Sequence, residues 1–216
     1  MSAETPSTES FTSSTSRSPT PSDGAPKTPA ASPPRGGASA GPAEADPAAG
    51  LSKRSRFAWC ITGSGHFLDE SIALAQRLPD LDLFLSDAAE EVLAIYGMKL
   101  EELRPRFAPG FRLVRDKTAS AVPVGMLYDD IYHTVVIAPA TSNTVAKCVV
   151  GISDTLPTNM FAQAGKLGIP GIVFACDTEP VVITKSPHDW VTLRPRRLEL
   201  GNVDRLREID FCEVVC

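Results

Sequence analysis

Residues 138–159 read "APATSNTVAKCVVGISDTLPTN", and they decide the fold. The run that feeds into them, "TVVIAP" (134–139), is apolar and β-branched with no polar alternation. That is the pattern of a strand covered on both faces, which requires helices above and below the sheet. The run ends on Pro139, and Thr141, Ser142, Asn143 and Thr144 then open a helix. Such a row makes a poor core and an expensive first turn unless a group outside the chain uses its donors.

Working outward, the same alternation repeats. "FAWCIT" (57–62), "LDLFLS" (81–86), "FRLVRD" (111–116), "PGIVFAC" (170–176) and "FCEVVC" (211–216) read as strands. "FLDESIALAQRL" (67–78) carries Phe67, Ile72, Ala75 and Leu78 at helical spacing. "DAAEEVLAIYG" (87–97) is a helix closed by Gly97, and "GMLYDDIY" (125–132) reads as another. "NTVAKCVVGI" and "TNMFAQAGKLG" follow as helices, the second closed by Gly168. The expected fold is α/β: a three-layer, Rossmann-like (flavodoxin-like) arrangement around a mostly parallel sheet.

Residues 1–50 are Ser, Thr, Pro, Ala and Gly with almost no large apolar side chains, a composition that cannot bury enough surface to fold. They are expected to be a disordered tail ahead of one folded domain, 51–216. The 216-residue chain has a formal net charge of −5, which argues against a nucleic-acid partner. No stretch is long and apolar enough for a membrane span, and the N-terminus has neither the pattern of a secretory signal nor that of a transit peptide. Five scattered cysteines suggest reduced thiols in a cytoplasm, and Cys212-x3-Cys216 alone cannot hold a metal.

In open parallel sheets, ligands bind beyond the carboxyl ends of the strands, so the residues that follow each strand are the site candidates. After the first come Thr62, Gly63, Ser64, Gly65 and His66: either a plain turn or an anion-binding loop at a helix start. After the second comes Ser86, either a helix cap or a phosphate partner. After the third comes "KTASAVPVG", with Ser120, and after the fifth "CDTEP". Together these ends form a crevice of neutral donors without a lysine clamp, suited to one phosphate, a polyol and a polar ring system; FMN fits. Asn143 is either a cap or a cofactor contact, and Asp154 a cap or a contact to the ring edge. His66 is either an exposed helix-start residue or catalytic, with its pKa lowered by the helix dipole.

"PATSNTVAK" followed by "GISDTLPTN" resembles the Pro-Ala-Ser-Ala-Asn-Thr signature and the downstream segment of the flavin-dependent cysteine decarboxylase superfamily. The resemblance covers about residues 56–216. It implies FMN as cofactor, with Pro139, Ala140, Thr141, Ser142, Asn143, Thr144 and Asp154 among its contacts, and a large homo-oligomer built from trimers. Gly125 stands where the decarboxylases of the superfamily carry a catalytic histidine, and "ACDTEP" replaces their Pro-Ala-Met-Asn clamp; both departures speak against decarboxylation. "GSGHFLDES", "SDTLPTNMFAQAGK" and "LRPRRLELGNVDRLREIDF" resemble the archaeoflavoprotein branch with its bacterial dihydromethanopterin reductases. That likeness implies reduction of a dihydropterin, with electrons from an external donor. A flavodoxin-like electron carrier, a decarboxylase or prenyltransferase relative and a cage subunit whose main role is assembly are the alternatives.

Overall fold

The computed structural model describes residues 54–117 and 121–216, so the expected tail and Ser120 lie outside the described residues. The chain runs β1 (Arg56–Ile61), α1 (Leu68–Ala75), β2 (Leu81–Leu85), α2 (Asp87–Ile95), α3 (Leu100–Leu103), β3 (Leu113–Arg115), α4 (Ala121–Gly125), β4 (Tyr132–Ala140), α5 (Ser142–Val150) and α6 (Leu156–Lys166). It continues through β5 (Gly171–Ala175), a hairpin of β6 (Val182–Lys185) and β7 (Trp190–Leu193), α7 (Arg197–Leu206) and β8 (Cys212–Val215). The main sheet has the order β3-β2-β1-β4-β5-β8, and its pairings are parallel.

The uninterrupted apolar strands are explained by two cores, one on each face. Ala58 and Cys60 of β1 face one core with Val135 and Ile137 of β4; Trp59 and Ile61 face the other with Val136 and Ala138. The first core is closed by α5, α6 and α7 through residues such as Val145, Met160 and Val203. The second is closed by α1 and α2, which send in Leu68, Ile72 and Ala75, and Ala89 and Leu93, at helical spacing. This is the expected three-layer α/β fold. Among the described residues, no helix is long and apolar enough to cross a membrane, and no group of His, Cys, Asp or Glu is placed to hold a metal ion.

Three elements depart from the sequence reading. The helix expected over 125–132 is instead the end of α4, a 3-10 turn at Met126–Asp129 and the first residue of β4. Asp130 takes a left-handed conformation that ends the turn, and Tyr132 is drawn wholly into the sheet. The β6–β7 hairpin and α7 are additional.

At the amino ends of the strands, opposite the crevice, Asp82 is fully buried. Its carboxylate accepts from Arg56 at 2.7 Å, from the Arg112 guanidinium at 2.7 Å and amide at 2.8 Å, and from the Tyr132 hydroxyl at 2.7 Å. Burial alone would raise its pKa; the bonds from Arg112, Arg56 and Tyr132 outweigh burial and hold it below the usual carboxylate range. Replacing Asp82 with Ala strands the donor groups of three residues. Because both arginines reach solvent, the expected loss is at the lower end of that for a broken buried pair, about 3 kcal/mol in urea unfolding at neutral pH. A depressed carboxyl pKa stabilises the fold above the unfolded value near ~3.9 and ceases to do so as pH falls through the folded value. The gap between wild type and Asp82→Ala should therefore narrow as the titration is repeated down to about pH 3.

Candidate functional site

The sheet order reverses direction between β1 and β4, which places the ends of these two strands side by side. Thr62, directly after β1, is buried. Its Oγ1 donates to the Pro139 carbonyl at 2.7 Å and accepts from the Thr141 amide at 3.1 Å. The pairing of β4 with β5 shifts register between Ile137 and Ala140, so Pro139 sits where the ladder is already irregular and its missing N–H costs nothing. The neighbouring carbonyls are also satisfied: Trp59 Nε1 donates to Ala138 at 3.0 Å, and the Cys176 amide to Ala140 at 3.1 Å.

The hydroxyl row of residues 141–144 is thereby largely accounted for within the chain. Thr141 is the cap of α5 and accepts from the Thr144 amide at 3.1 Å, and the two hydroxyls share a hydrogen bond of 3.0 Å. Ser142 donates to Asp177. Asn143 is not the cap; it is exposed on the first turn. Asp154 is not a cap either, since Thr155 caps α6. Ser86 does cap α2, accepting from the Ala89 amide at 3.0 Å.

Two clefts open here. The larger, about 520 Å³, has Thr62, Gly63, Ser86, Thr141, Asn143, Thr144 and Asp154 in its wall, so most of the residues singled out in the sequence do converge. Pro139 and Ala140 stay buried in the strand end and shape the loop. The wall also includes Asp116, Lys117 and Lys147, which corrects the expectation of a crevice without lysine. Lys147 lies four residues after Asn143, on the same helix face; that spacing was the available signal. Its ammonium bonds Asp154 at 2.8 Å, and this hydrogen bond holds the carboxyl below its usual pKa. Asp116 accepts from the Leu156 amide at 2.7 Å, tying the end of β3 to the start of α6.

The second cleft, about 240 Å³, shares Gly63 and Thr141 with the first. Ser64, Gly65 and His66 form one side, with Tyr96, Cys176 and Asp177, and the β6–β7 hairpin forms the other. The glycines serve close packing. A Cβ on Gly63 would lie 2.7 Å from Ala88 Cβ, and one on Gly65 would lie 2.0 Å from the Tyr96 hydroxyl. That hydroxyl donates to the Lys185 carbonyl of the hairpin at 2.9 Å. Ser64 Oγ lies 3.2 Å from Cys176 Sγ, and burial pushes the Cys176 thiol up to about 12.

His66 is partly buried and stacks on Phe67, ring centroids 3.8 Å apart; its Nδ1 is buried without a hydrogen-bond partner. Its pKa is lowered, chiefly by desolvation, with Asp177 and Glu70 pulling the other way. This replaces the helix dipole as the cause, because α1 starts only at Leu68. His133 packs edge-on against Phe57 at 4.3 Å, and His188 lies exposed in the hairpin turn.

The sequence profile of the Flavoprotein family matches residues 47–216. The chain is 67% identical to DmrB of Burkholderia xenovorans, whose crystal structure in complex with FMN is described as a cubic protein cage for redox transfer; the match covers 76% of this chain and 89% of that one, with a TM-score of 0.69. It is 39% identical over 145 residues to a dihydromethanopterin reductase (acceptor) of Methanosarcina mazei, covering 62% of this chain and 60% of that protein. It is 36% identical over 143 residues to the protein of the same name from Methanocaldococcus jannaschii, covering 62% and 58%. The chain thus spans about three fifths of the length of these two curated relatives.

Replacing Thr62 with the near-isosteric Val leaves the Pro139 carbonyl and the Thr141 amide without their partner. Buried groups stranded in this way cost about 1–3 kcal/mol, so the urea midpoint should fall accordingly, whereas Ser at 62 should restore most of the loss.

Proposed function

The chain belongs to the Flavoprotein family, and from that premise we propose that the larger cleft holds FMN and that the protein uses it to reduce 7,8-dihydromethanopterin to tetrahydromethanopterin. The observation that carries this reading is the donor set of the cleft. Two capped helix starts, those of α2 and α5, meet there with Lys147 and Lys117 at the end of the sheet. Helix N-termini with hydroxyl caps and a cation suit an anionic group such as one phosphate, and about 520 Å³ lies in the range of small-cofactor sites. The likeness to an FMN-bound protein of 67% identity and to two dihydromethanopterin reductases supports the same reading.

In this proposal Thr62, Gly63 and Ser86 border the phosphate end, and Ser64 and Gly65, which line the smaller cleft, continue the same loop away from it. Thr141, Asn143, Thr144 and Asp154 hold the polyol and ring, with Pro139, Ala140, Ser142 and Ser120 completing the surround. FMN, reduced by an external donor, supplies the hydride for the C=N bond of the dihydropterin. The chain supplies orientation and a proton. His66 is the proton source in this reading: desolvation weakens its hold on a proton, which makes it a readier acid. The trimer-built homo-oligomer implied by the superfamily belongs to the same proposal, supported by the cage described for the Burkholderia protein.

Heat release and chromatography of the chromophore should yield FMN, and anaerobic photoreduced protein mixed with dihydromethanopterin should regain its oxidised flavin spectrum. FAD, a colourless protein, or reoxidation by a redox protein but not by the dihydropterin would overturn the reading. Asn143→Ala should cost roughly tenfold in FMN affinity, as expected for one lost hydrogen bond. His66→Ala should keep FMN and lose ~10²–10⁴ in rate. Because the His66 pKa lies below its usual value of 6.5, the wild-type rate should fall as pH rises through that lowered value, and this limb should vanish in His66→Ala.

A further inference from the structure

We infer that the smaller cleft, beneath the β6–β7 hairpin, is the subsite for the pterin ring, with Asp177 reading its amino-pyrimidinone edge. This rests on the reading of the larger cleft as the FMN site and adds where the second ring binds. The two clefts meet at Gly63 and Thr141, so a ligand in one borders a ligand in the other. At about 240 Å³ the smaller cleft lies below the ~300–1,000 Å³ of sites for drug-sized ligands and suits a bicyclic ring rather than a whole mononucleotide.

Its lining has two kinds of surface. Of the hairpin residues that line the cleft, Val191 and Leu193 supply apolar contacts for one face of a flat ring, and Thr184, Lys185 and Ser186 supply polar groups around it. Opposite lie polar groups. Asp177 is half-buried and its carboxylate, acceptor-only when ionised, is steadied by the hydroxyl of Ser142. The pterin edge offers an N–H and an amino group side by side, two parallel donors that match two carboxylate oxygens. His66 lines the same cleft, with its Nδ1 buried and without a hydrogen-bond partner. Tyr96 closes the arrangement: its ring covers Gly65 and its hydroxyl holds the hairpin at Lys185.

The test uses the full-length, FMN-loaded protein and two variants, with two readouts. Equilibrium dialysis gives the Kd for dihydromethanopterin, and steady-state turnover gives kcat and KM. Asp177→Asn replaces one acceptor by a donor that opposes the pterin amino group. It should raise Kd and KM roughly ten- to a hundredfold with FMN fully retained. Leu193→Arg places a long cation in the cleft and should abolish pterin binding while leaving the yellow colour intact. If Asp177→Asn loses FMN, Asp177 belongs to the cofactor site and the inference is wrong. If both variants bind pterin as wild type does, the ring sits elsewhere and the inference is equally wrong. If the wild type carries FMN but neither binds nor reduces the dihydropterin, the reductase reading itself falls, and the subsite with it.

Discussion

One threonine hydroxyl joins the two halves of the sheet where they diverge. Thr62 ends β1, and its Oγ1 is shared between the Pro139 carbonyl and the Thr141 amide. The first strand leads on to β2 and β3, while Pro139 and Thr141 belong to the half that leads to β5 and β8. A buried hydroxyl that both donates and accepts fixes the distance and orientation of the two loops, since neither bond can be exchanged for water there. Everything proposed for the site depends on that spacing: the cap of α5, the exposure of Asn143 and the meeting of the two clefts at Gly63 and Thr141.

The opposite end of the sheet is organised by charge. Asp82 gathers Arg56, Arg112 and Tyr132, drawn from β1, the approach to β3 and the start of β4. Strands β1, β2 and β4 and the approach to β3 are thus joined at their amino ends by a satisfied carboxylate, and β1 is joined to β4 at the carboxyl ends by neutral hydrogen bonds. Charged groups also line the clefts at the carboxyl ends, Lys147 paired with Asp154 and Asp177 bonded by Ser142, yet the largest influence on His66 is loss of solvent.

The inner strands β1, β2 and β4 were legible because they are buried on both faces, which leaves an apolar run that no amphipathic helix imitates; the edge strands β3 and β8, only partly buried, were legible from their β-branched residues. Helices α1, α2, α5 and α6 were legible from apolar spacing and closing glycines. The hairpin was not: β7 is exposed along its length, and β6 alternates over only four residues. Helix α7 was hidden by its polarity, with Asn202, Val203 and Leu206 its only buried residues among those described. At the site, the strand ends marked the right loops, but Lys147 needed the direction of a helix face, and the role of Gly65 needed Tyr96 from 31 positions away. The cause of the lowered His66 pKa turned on where α1 begins, two residues beyond His66.

The thiol of Cys176 lines the smaller cleft, 4% exposed, beside Ser64. Oxidants attack the thiolate and not the thiol. With a pKa of about 12, about one molecule in 10⁵ carries the reactive form at neutral pH. Cys148, also pushed to about 12, and Cys60, raised further still, are protected by the same burial. The sulfur that lines the smaller cleft is thus kept as the unreactive thiol chiefly by burial, with the charge of Asp177 acting in the same direction.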